Sequence, residues 1–389
     1  MTLTALFLSS CILGFLGAWL ISLSAVKLGL VDYPNARSSH THPIPRGGGV
    51  GIFAAFLLSA IYSGIPTTIW ISMSALTIWA LLGDFVDFSP KLRLVGQLFL
   101  ASIIIIANCQ SPPYSGWFWI SWGFWTIYLV GTANFYNFMD GINGIAGITG
   151  FIGFALLAAY IYLNYGPTSL GIVAISISLA CLGFLPLNMP KARVFMGDIG
   201  SLHLGSAFGC LIYLSSETFL DFVCMTSFLF PFYADELTTM AVRLRDGEKL
   251  TQPHRRHLYQ LLVNEQSIPH WQVTLVYAFL QLVVALSILL VKVRGIITIL
   301  AILCFYYTLF SITTYYYRKG DHLKRLFDGK MSGDILCKNG RGDVDGGSEI
   351  AYSVQVDPAD SQGETLQPSS VQQGICIKPL DGDPYIEKE

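Results

Sequence analysis

Long apolar segments alternate with short polar ones over the first 318 residues of the chain. Eleven of the apolar segments are long enough to cross a bilayer as helices, which takes about 20 residues each. The expected helices span 3–26, 47–64, 67–83, 93–109, 117–136, 144–164, 168–187, 201–216, 219–240, 272–292 and 295–317. This pattern predicts an all-α, polytopic integral membrane protein.

The composition agrees with this class. Of the 389 residues, 53% are hydrophobic and 12% are charged, about half the charged share of a soluble protein. The net charge of −2 offers no basic excess that would bind nucleic acid. The eight cysteines are scattered, without the spacing of a zinc site or a disulfide framework. The first apolar segment lacks a basic start and a cleavage site, so we expect it to be retained.

The basic residues predict how the chain crosses the membrane. As a set, the loops after helices 1, 3, 5, 7 and 9 hold Lys and Arg residues, although the short loop after helix 5 has none. The loops after helices 2, 4, 6 and 8 contain neither. The positive-inside rule then places the N-terminus outside, the C-terminus inside and the basic loops in the cytoplasm. Lys292 and Arg294, after helix 10, are the exception to the pattern.

The chain changes character beyond residue 318. Residues 319–389 are polar, hold 13 acidic and 8 basic residues, and show no sustained hydrophobic period. Such a segment cannot bury enough apolar surface to offset the entropy of ordering. The sequence therefore predicts a membrane-embedded domain over 1–318 and a disordered cytoplasmic tail over 319–389.

Four short polar segments, here called the polar islands, all lie on the predicted cytoplasmic side. They are residues 83–87, 134–144, 195–201 and 253–260. Carboxylates at the ends of spanning helices are costly to keep near hydrocarbon, so their convergence on one face indicates a functional site. Acidic groups close to basic ones suggest Mg²⁺ holding a phosphorylated substrate.

The first two islands carry candidate carboxylates and amides. Asp84 and Asp87 end the third helix, where they either act in a site or cap the helix at the interface. Asn134, Asn137 and Asp140 follow one another at intervals of three residues, which keeps them near one helical face. A simple helix cap would explain Asp140 but not the two asparagines.

Two further aspartates belong to apolar surroundings. Asp198 lies between glycines before the eighth helix, where Ser201 is expected to cap the helix and its N-terminus favours an anion. Asp235 falls within the ninth helix and is expected to face a polar cavity or to pair with Arg243 or Arg193.

Basic residues complete the candidate site. His254, Arg255, Arg256 and His257 form a run that suits diphosphate oxygens, because arginine presents a planar fork of donors. Binding of anionic lipid headgroups is the alternative for this run. Arg46 precedes three glycines at the start of the second helix, an arrangement that either cradles a phosphate or only permits close packing.

Five ordered motifs within residues 30–262 resemble the polyprenyl-phosphate N-acetylhexosamine-1-phosphate transferases. The motifs are PNARSSHTHPIPRGGG, DFVDFSPKLRLVGQ, NFYNFMDGINGIAG, NMPKARVFMGDIGS and PHRRHLYQ. The first and last look most like the branch that initiates O-antigen synthesis, and the family includes the transferase that starts lipid-linked peptidoglycan precursors. The family's eleven helices match the number predicted above.

The resemblance implies roles for individual residues. It makes Asp198 the expected Mg²⁺ ligand, with Asn137 beside it, and it gives Asp84, Asp87, Asp140 and Asp198 the catalytic roles. The substrate-binding residues it implies are Arg46, Asn137, Asn143, Asn188, His254, Arg255, Arg256 and His257. Two positions depart from the family pattern: Asn143 stands where Asp is frequent, and Gly83 replaces the first of two adjacent aspartates.

The implied reaction transfers a sugar-1-phosphate from a UDP-N-acetylhexosamine to undecaprenyl phosphate and releases UMP. The expected cofactor is Mg²⁺, with Mn²⁺ as a substitute. The expected location is the bacterial inner membrane with the site facing the cytoplasm, and the oligomeric state stays open between monomer and homodimer. Two other classes remain as alternatives: an inactive scaffold, suggested by Gly83, and an ion-coupled transporter or flippase, which midplane charges would favour.

Overall fold

The computed structural model describes residues 1–34, 39–86, 88–109, 115–250, 252 and 254–339, with the side chains of Asp84 and of residues 320–339 left aside. Thirteen α-helices account for most of this part of the chain. In order the elements are α1 Leu3–Leu28, β1 Val31–Asp32, β2 Ile44–Pro45, α2 Val50–Tyr62, α3 Thr67–Val86, α4 Pro90–Asn108, α5 Gly116–Phe138, α6 Ile145–Tyr165, α7 Ser169–Asn188, α8 Asp198–Ser215, α9 Phe219–Thr226, a 3-10 turn Ser227–Leu229, α10 Phe230–Arg245, α11 Leu258–Asn264, α12 His270–Val291, a 3-10 turn Lys292–Arg294 and α13 Ile296–Asn339.

Ten of the eleven apolar segments form one helix each and the ninth forms two, which confirms the all-α membrane class. Six helices are long and apolar enough to cross a bilayer, and two shorter ones are also apolar. The six are Leu3–Leu28, Pro90–Asn108, Ile145–Tyr165, Ser169–Asn188, His270–Arg294 and Ile296–Lys319. That the other predicted segments also cross the membrane remains a prediction.

Two predicted boundaries are wrong. The ninth segment is divided into α9, a 3-10 turn and α10, and Pro231 lies in the first turn of α10. Proline has no N–H and is tolerated in that first turn, so it marks the restart of the helix. The last helix continues to Asn339 instead of ending near residue 317. The rest of the predicted tail, 340–389, lies outside the described residues.

The helices pack around α7, which contacts α1, α2 and α6, while α8 packs on α5 and α3. Small residues allow the backbones of α1 and α7 to approach closely. A Cβ on Gly14 would lie 2.0 Å from the Ala180 carbonyl oxygen, and one on Gly183 would lie 2.0 Å from that of Cys11. Such glycine contacts are the usual means by which membrane helices approach each other.

A short hairpin fastens the start of α2 to the start of α8. Strands β1 and β2 pair antiparallel, with Val31 opposite Pro45. The Phe195 amide donates to the Pro45 carbonyl (2.7 Å), and the Gly48 amide donates to the Phe195 carbonyl (2.9 Å). Gly197 follows at φ +72°, a conformation that favours glycine. The segment before α8 is thereby fixed against the chain that enters α2.

Lys292, the exception to the positive-inside pattern, belongs to a polar cluster at the far end of α6. Its Nζ donates to Asn164 Oδ1 (2.6 Å) and Asp221 Oδ1 (3.3 Å), and lies 4.3 Å from the ring centroid of Tyr160. The Tyr160 hydroxyl also donates to Asp221 Oδ1 (2.6 Å). Lys292 therefore joins α6, α9 and α12, and this structural role explains a basic residue on the predicted outer side.

Replacing Lys292 with methionine is expected to lower the free energy of unfolding by about 1–2 kcal/mol, because Asp221 would lose its cation while staying mostly buried. Thermal unfolding of the purified protein in detergent measures the change. Arg294→Gln removes an exposed charge two residues away and serves as the control. Equal midpoints for wild type and Lys292→Met would contradict the structural role.

Candidate functional site

One polar cavity of about 290 Å³ lies at the end of the bundle where the hairpin, α5, α7, α8 and α11 meet. Its lining comes from segments that are far apart in the sequence. The lining residues are Asp32, Ser39, His40, Arg46, Asn137, Asp140, Gly141, Ile142, Asn188, Phe195, Gly197, Asp198, Ser201 and Gln260. Three of the four polar islands and the Gly-rich segment at Arg46 therefore meet in one place, as the sequence predicts.

Asp198 is the first residue of α8, and both of its carboxylate oxygens accept hydrogen bonds. Arg93 Nη1 donates to Oδ2 (2.9 Å), and Asn137 Nδ2 donates to Oδ1 (2.9 Å). Asp198 begins the helix directly after Gly197, so its charge also lies at the positive end of the helix dipole. The side chain keeps 22% of its surface exposed, which leaves it accessible from the cavity.

Ser201 does not cap α8, contrary to the sequence-based expectation. The helix begins three residues earlier, so Ser201 lies inside its first turn. The Ser201 hydroxyl donates to the Gly197 carbonyl (3.1 Å) and accepts from Asn137 Nδ2 (2.8 Å). Its role is to hold Asn137 in place.

Asn137 contacts Asp198 and Ser201, and its predicted role as a metal ligand remains a prediction. Its NH₂ group, not its oxygen, faces Asp198 and Ser201. Because a carboxylate can only accept, this orientation is fixed by the Asp198 contact. Asn137 therefore holds the Asp198 carboxylate in position. Asn134 points away from the cavity and donates to Gln97 Oε1 (2.7 Å).

Asp140 reaches the cavity from a loop, because α5 ends at Phe138 and the regular helical spacing stops there. Burial, together with the negative charge of Asp198, raises the pKa of Asp140 well above its usual range. The two carboxylates therefore repel each other across the cavity. A bound cation would relieve this repulsion.

Asn188 and Asn143 support the cavity wall. Asn188 Oδ1 accepts from the Gly144 amide (2.7 Å), and its Nδ2 donates to the Val194 carbonyl (2.9 Å). Asn188 lines the cavity, but both polar atoms of its amide bind the backbone of these two loops. Asn143 is absent from the described lining and donates to the Pro190 carbonyl (3.3 Å). The prediction that Asn143 binds substrate is therefore not supported by its position.

The structure differs most from the prediction at the run His254–His257. None of these four residues is among the described lining residues of the cavity, whereas Gln260 of the same island is. His257 is 2% exposed and lies 3.5 Å from Asp235 and 3.4 Å from Glu236. His257 is not among the described lining residues, and its contact with a diphosphate remains a prediction. The side chain anchors the island to α10.

Arg256 and His254 also have other partners or properties. Arg256 Nη1 forms ion pairs with Asp246 (2.6 Å) and Glu248 (2.8 Å). Burial, with the positive charges of His257 and nearby arginines, lowers the pKa of His254 to about 3. His254 is then neutral near pH 7 and adds no positive charge for a diphosphate. Arg255 is half-buried outside the described lining, and its predicted role in binding substrate remains a prediction.

Asp235 has neither of the expected arginine partners. Its oxygens accept from the Leu258 amide (2.9 Å) and the Tyr277 hydroxyl (2.6 Å), and Arg243 pairs with Glu248 instead. Tyr259 belongs to the island 253–260, and its hydroxyl donates to the carbonyl of Phe138 (3.0 Å), two residues before Asp140. The island thus supports the loop that carries Asp140.

The end of α3 contributes through its backbone. The side chain of Asp84 and all of Asp87 lie outside the described part of the chain, so their predicted catalytic roles are not tested. Gly83 is buried, and its carbonyl accepts from Arg93 Nη2 (2.6 Å). No role in the site was predicted for Arg93 from the sequence. Its place within an Asp-rich motif was the available signal that it belongs to the site.

The sequence analysis also missed Asp32, Ser39 and His40. His40 Nε2 lies 3.8 Å from Asp32 Oδ2, and its ring packs edge-on against Phe195, 5.0 Å between centroids. These residues come from the hairpin segment, in which only Arg46 and the glycines after it were predicted to take part in the site. His40 belongs to the SSH sequence beside it, so the signal was present.

The donor set fits a hard divalent cation. Asp140 and Asp198 supply carboxylate oxygens to the same cavity. Mg²⁺ is commonly held by one or two carboxylates and completes its shell with water and substrate phosphates. No group of three or more His, Cys, Asp or Glu residues suited to a metal occurs within the described ranges. A site of this kind would therefore depend on the substrate for its remaining ligands.

Comparisons with known proteins show the family to which the sequence is similar. The sequence pattern of Glycosyl transferase family 4 matches residues 66–216. An undecaprenyl-phosphate α-N-acetylglucosaminyl 1-phosphate transferase from Pasteurella multocida is 34% identical over 281 residues, covering 66% of this chain and 78% of the relative.

Two other relatives show how widely the similarity extends. A probable undecaprenyl-phosphate N-acetylglucosaminyl 1-phosphate transferase from Bacillus subtilis is 25% identical over 263 residues, 61% of this chain and 71% of the relative. A phospho-N-acetylmuramoyl-pentapeptide-transferase from Lacticaseibacillus paracasei is 33% identical over 190 residues, 41% of this chain and 58% of the relative. The chain therefore belongs to Glycosyl transferase family 4, the family of polyprenyl-phosphate N-acetylhexosamine-1-phosphate transferases that its motifs predict.

Proposed function

We propose that this protein transfers a sugar-1-phosphate from a UDP-N-acetylhexosamine to undecaprenyl phosphate and releases UMP. The observation that carries the proposal is the cavity that Asp140, Asp198 and Arg46 line together, with Arg93 bonded to Asp198. The names of the relatives supply the reaction class: the Pasteurella and Bacillus proteins are both undecaprenyl-phosphate N-acetylglucosaminyl 1-phosphate transferases.

In this reaction an oxygen of the lipid phosphate forms a bond to the β-phosphorus of the donor. The bond from that phosphorus to the oxygen shared with the α-phosphorus breaks, and UMP leaves with that oxygen. Both reactants are anionic, so the site must mainly position them and balance charge. A phosphate monoester is largely ionised near pH 7, so Asp84, Asp87 or Asp140 need only orient it.

The residues of the cavity suit these tasks. Asp198, held by Asn137, is the proposed ligand of Mg²⁺ or Mn²⁺, with Asp140 as its neighbour. When bound, the cation would neutralise the diphosphate and stabilise charge that develops in the transition state. Arg46 lines the cavity before the start of α2, and its guanidinium favours an anion there. Asn188 keeps the loops on either side of the cavity in place.

We further propose that the cavity faces the cytoplasm of a bacterial inner membrane, with the N-terminus outside and the C-terminus inside. The Lys and Arg distribution supports this orientation. The reaction would be the first membrane step of O-antigen or another envelope polysaccharide, as the first and last motifs suggest. The proposed sugar is N-acetylglucosamine or a 6-deoxy amino sugar, because both are carried by donors of the UDP-N-acetylhexosamine class.

A donor panel tests the function. Purified protein is incubated with Mg²⁺, undecaprenyl phosphate and each of several UDP-N-acetylhexosamines, and UMP release is measured with and without the lipid. Lipid-dependent UMP from one donor supports the proposal and identifies the sugar. No UMP from any donor, while a family member is active under the same conditions, would contradict it and favour the inactive scaffold.

A further inference from the structure

Arg93 links the end of α3 to the start of α8. One guanidinium nitrogen, Nη2, donates to the Gly83 carbonyl (2.6 Å), and the other, Nη1, donates to Asp198 Oδ2 (2.9 Å). The two side chains are partly exposed, Arg93 to 33% and Asp198 to 22%. Asp198 lines the cavity, and Arg93 contacts the carboxylate as a neighbour of the lining residues.

The contact competes with the use of Asp198 as a metal ligand. Asn137 already bonds Oδ1, so Arg93 occupies the second oxygen of the same carboxylate. Each oxygen keeps a second lone pair that a cation can use, but a cation bound there would lie close to the Arg93 guanidinium. The guanidinium also carries a positive charge, which repels a divalent cation at this distance. Metal binding must therefore move Arg93 or weaken its bond.

Because residue 83 is glycine, it offers Arg93 a backbone carbonyl but no side-chain acceptor at the end of α3. The backbone carbonyl of Gly83 is a neutral acceptor, whereas Asp198 is the carboxylate paired with Arg93 among the described side chains. A Cβ added to Gly83 would lie 3.3 Å from Arg93 Nε and 3.5 Å from Cζ. A short acidic side chain at position 83 would thus carry its carboxylate directly to the guanidinium.

We infer that Arg93 is a resident counter-ion of Asp198 that a divalent cation must displace, and that Gly83 strengthens this competition by offering the guanidinium no carboxylate of its own. This inference rests on the proposed function, since it concerns the metal ligand named there. After displacement, the bond to Gly83 keeps the guanidinium beside the cavity, where it faces the anionic substrate.

Metal affinity in the absence of substrate tests the inference. The free Mn²⁺ signal in electron paramagnetic resonance is titrated with the full-length protein in detergent. Arg93→Gln is expected to tighten Mn²⁺ binding by about threefold or more, the scale of a partly exposed ion pair. Gly83→Asp is expected to tighten it as well, because the new carboxylate draws Arg93 away from Asp198. Asp198→Asn is expected to weaken binding at least about tenfold.

Lys91 provides the matched control for charge alone. It is an exposed basic residue two positions before Arg93 in the first turn of α4. Lys91→Gln removes the same charge from the same region and is expected to leave the Mn²⁺ affinity within about twofold of wild type. A similar gain in Lys91→Gln and Arg93→Gln would overturn the direct competition in favour of a general field effect.

The outcomes separate this inference from the proposed function. Mn²⁺ binding that depends on Asp198 but is unchanged or weakened in Arg93→Gln overturns the counter-ion role alone. The Gly83→Asp variant gives an independent reading should Arg93→Gln fail to fold. Mn²⁺ binding that Asp198→Asn does not weaken, or no binding by any variant, overturns the metal site of the proposed function together with this inference.

Discussion

Asp198→Asn is expected to reduce lipid-dependent UMP release by about 100-fold or more, because preorganised electrostatic groups at a phosphoryl-transfer site supply several kcal/mol of transition-state stabilisation. Asparagine has nearly the same shape as aspartate but lacks its charge. It can still accept a hydrogen bond from Asn137, whose amide faces this position at 2.9 Å. The measurement is UMP formation with the donor and lipid that give the highest rate in the wild type.

A matched control separates the loss of this carboxylate from a general loss of acidic charge. Glu217 is an exposed carboxylate between α8 and α9, at the end of α8 remote from Asp198. Glu217→Gln should keep the wild-type rate within about twofold, as expected for a surface substitution far from the site. Asp198→Asn with an unchanged unfolding midpoint and more than a tenth of the wild-type rate would show that Asp198 is not the main metal ligand.

The hydrophobic pattern predicted the helices well, because an apolar segment inside a bilayer must satisfy its own backbone hydrogen bonds and does so as a helix. It could not predict the break between α9 and α10, since residues 219–240 remain apolar across it. Pro231 was the available local signal. Similarly, nothing in the apolar pattern marks the end of α13, because a helix can continue into polar sequence.

The polar pattern predicted where the site is but not what each side chain does. Asp198, Asp140 and Arg46 line one cavity, as their shared side of the membrane implied. The directions of the asparagines and histidines depend on partners distant in sequence. His257 faces Asp235, and Asn143 faces Pro190. Sequence spacing cannot reveal such partners, so the supporting contacts of these residues could not be predicted.

Asp235 is the clearest example of such support, and it is fully buried. The carboxylate accepts from the backbone amides of Leu258 (2.9 Å) and Tyr259 (3.4 Å), from the Tyr277 hydroxyl (2.6 Å) and from Thr239 Oγ1 (3.2 Å). It thereby fixes the first turn of α11 against α10 and α12. Since Tyr259 in that turn bonds the Phe138 carbonyl, the Asp140 loop depends on the same contacts.

Asp235→Ala is expected to lower the free energy of unfolding by about 3–5 kcal/mol, because it leaves buried donors without their acceptor and removes one of the two carboxylates beside the His257 ring. The unfolding midpoint in detergent should fall accordingly. Tyr277→Phe removes one of the same donors but keeps the carboxylate, so its expected cost is about 1 kcal/mol. We also expect Asp235→Ala to release UMP more slowly at temperatures where it remains folded, since the Asp140 loop loses an anchor. An Asp235→Ala protein as stable as Tyr277→Phe would show that α11 is held by its apolar packing, and the polar network would then carry little of the site's rigidity.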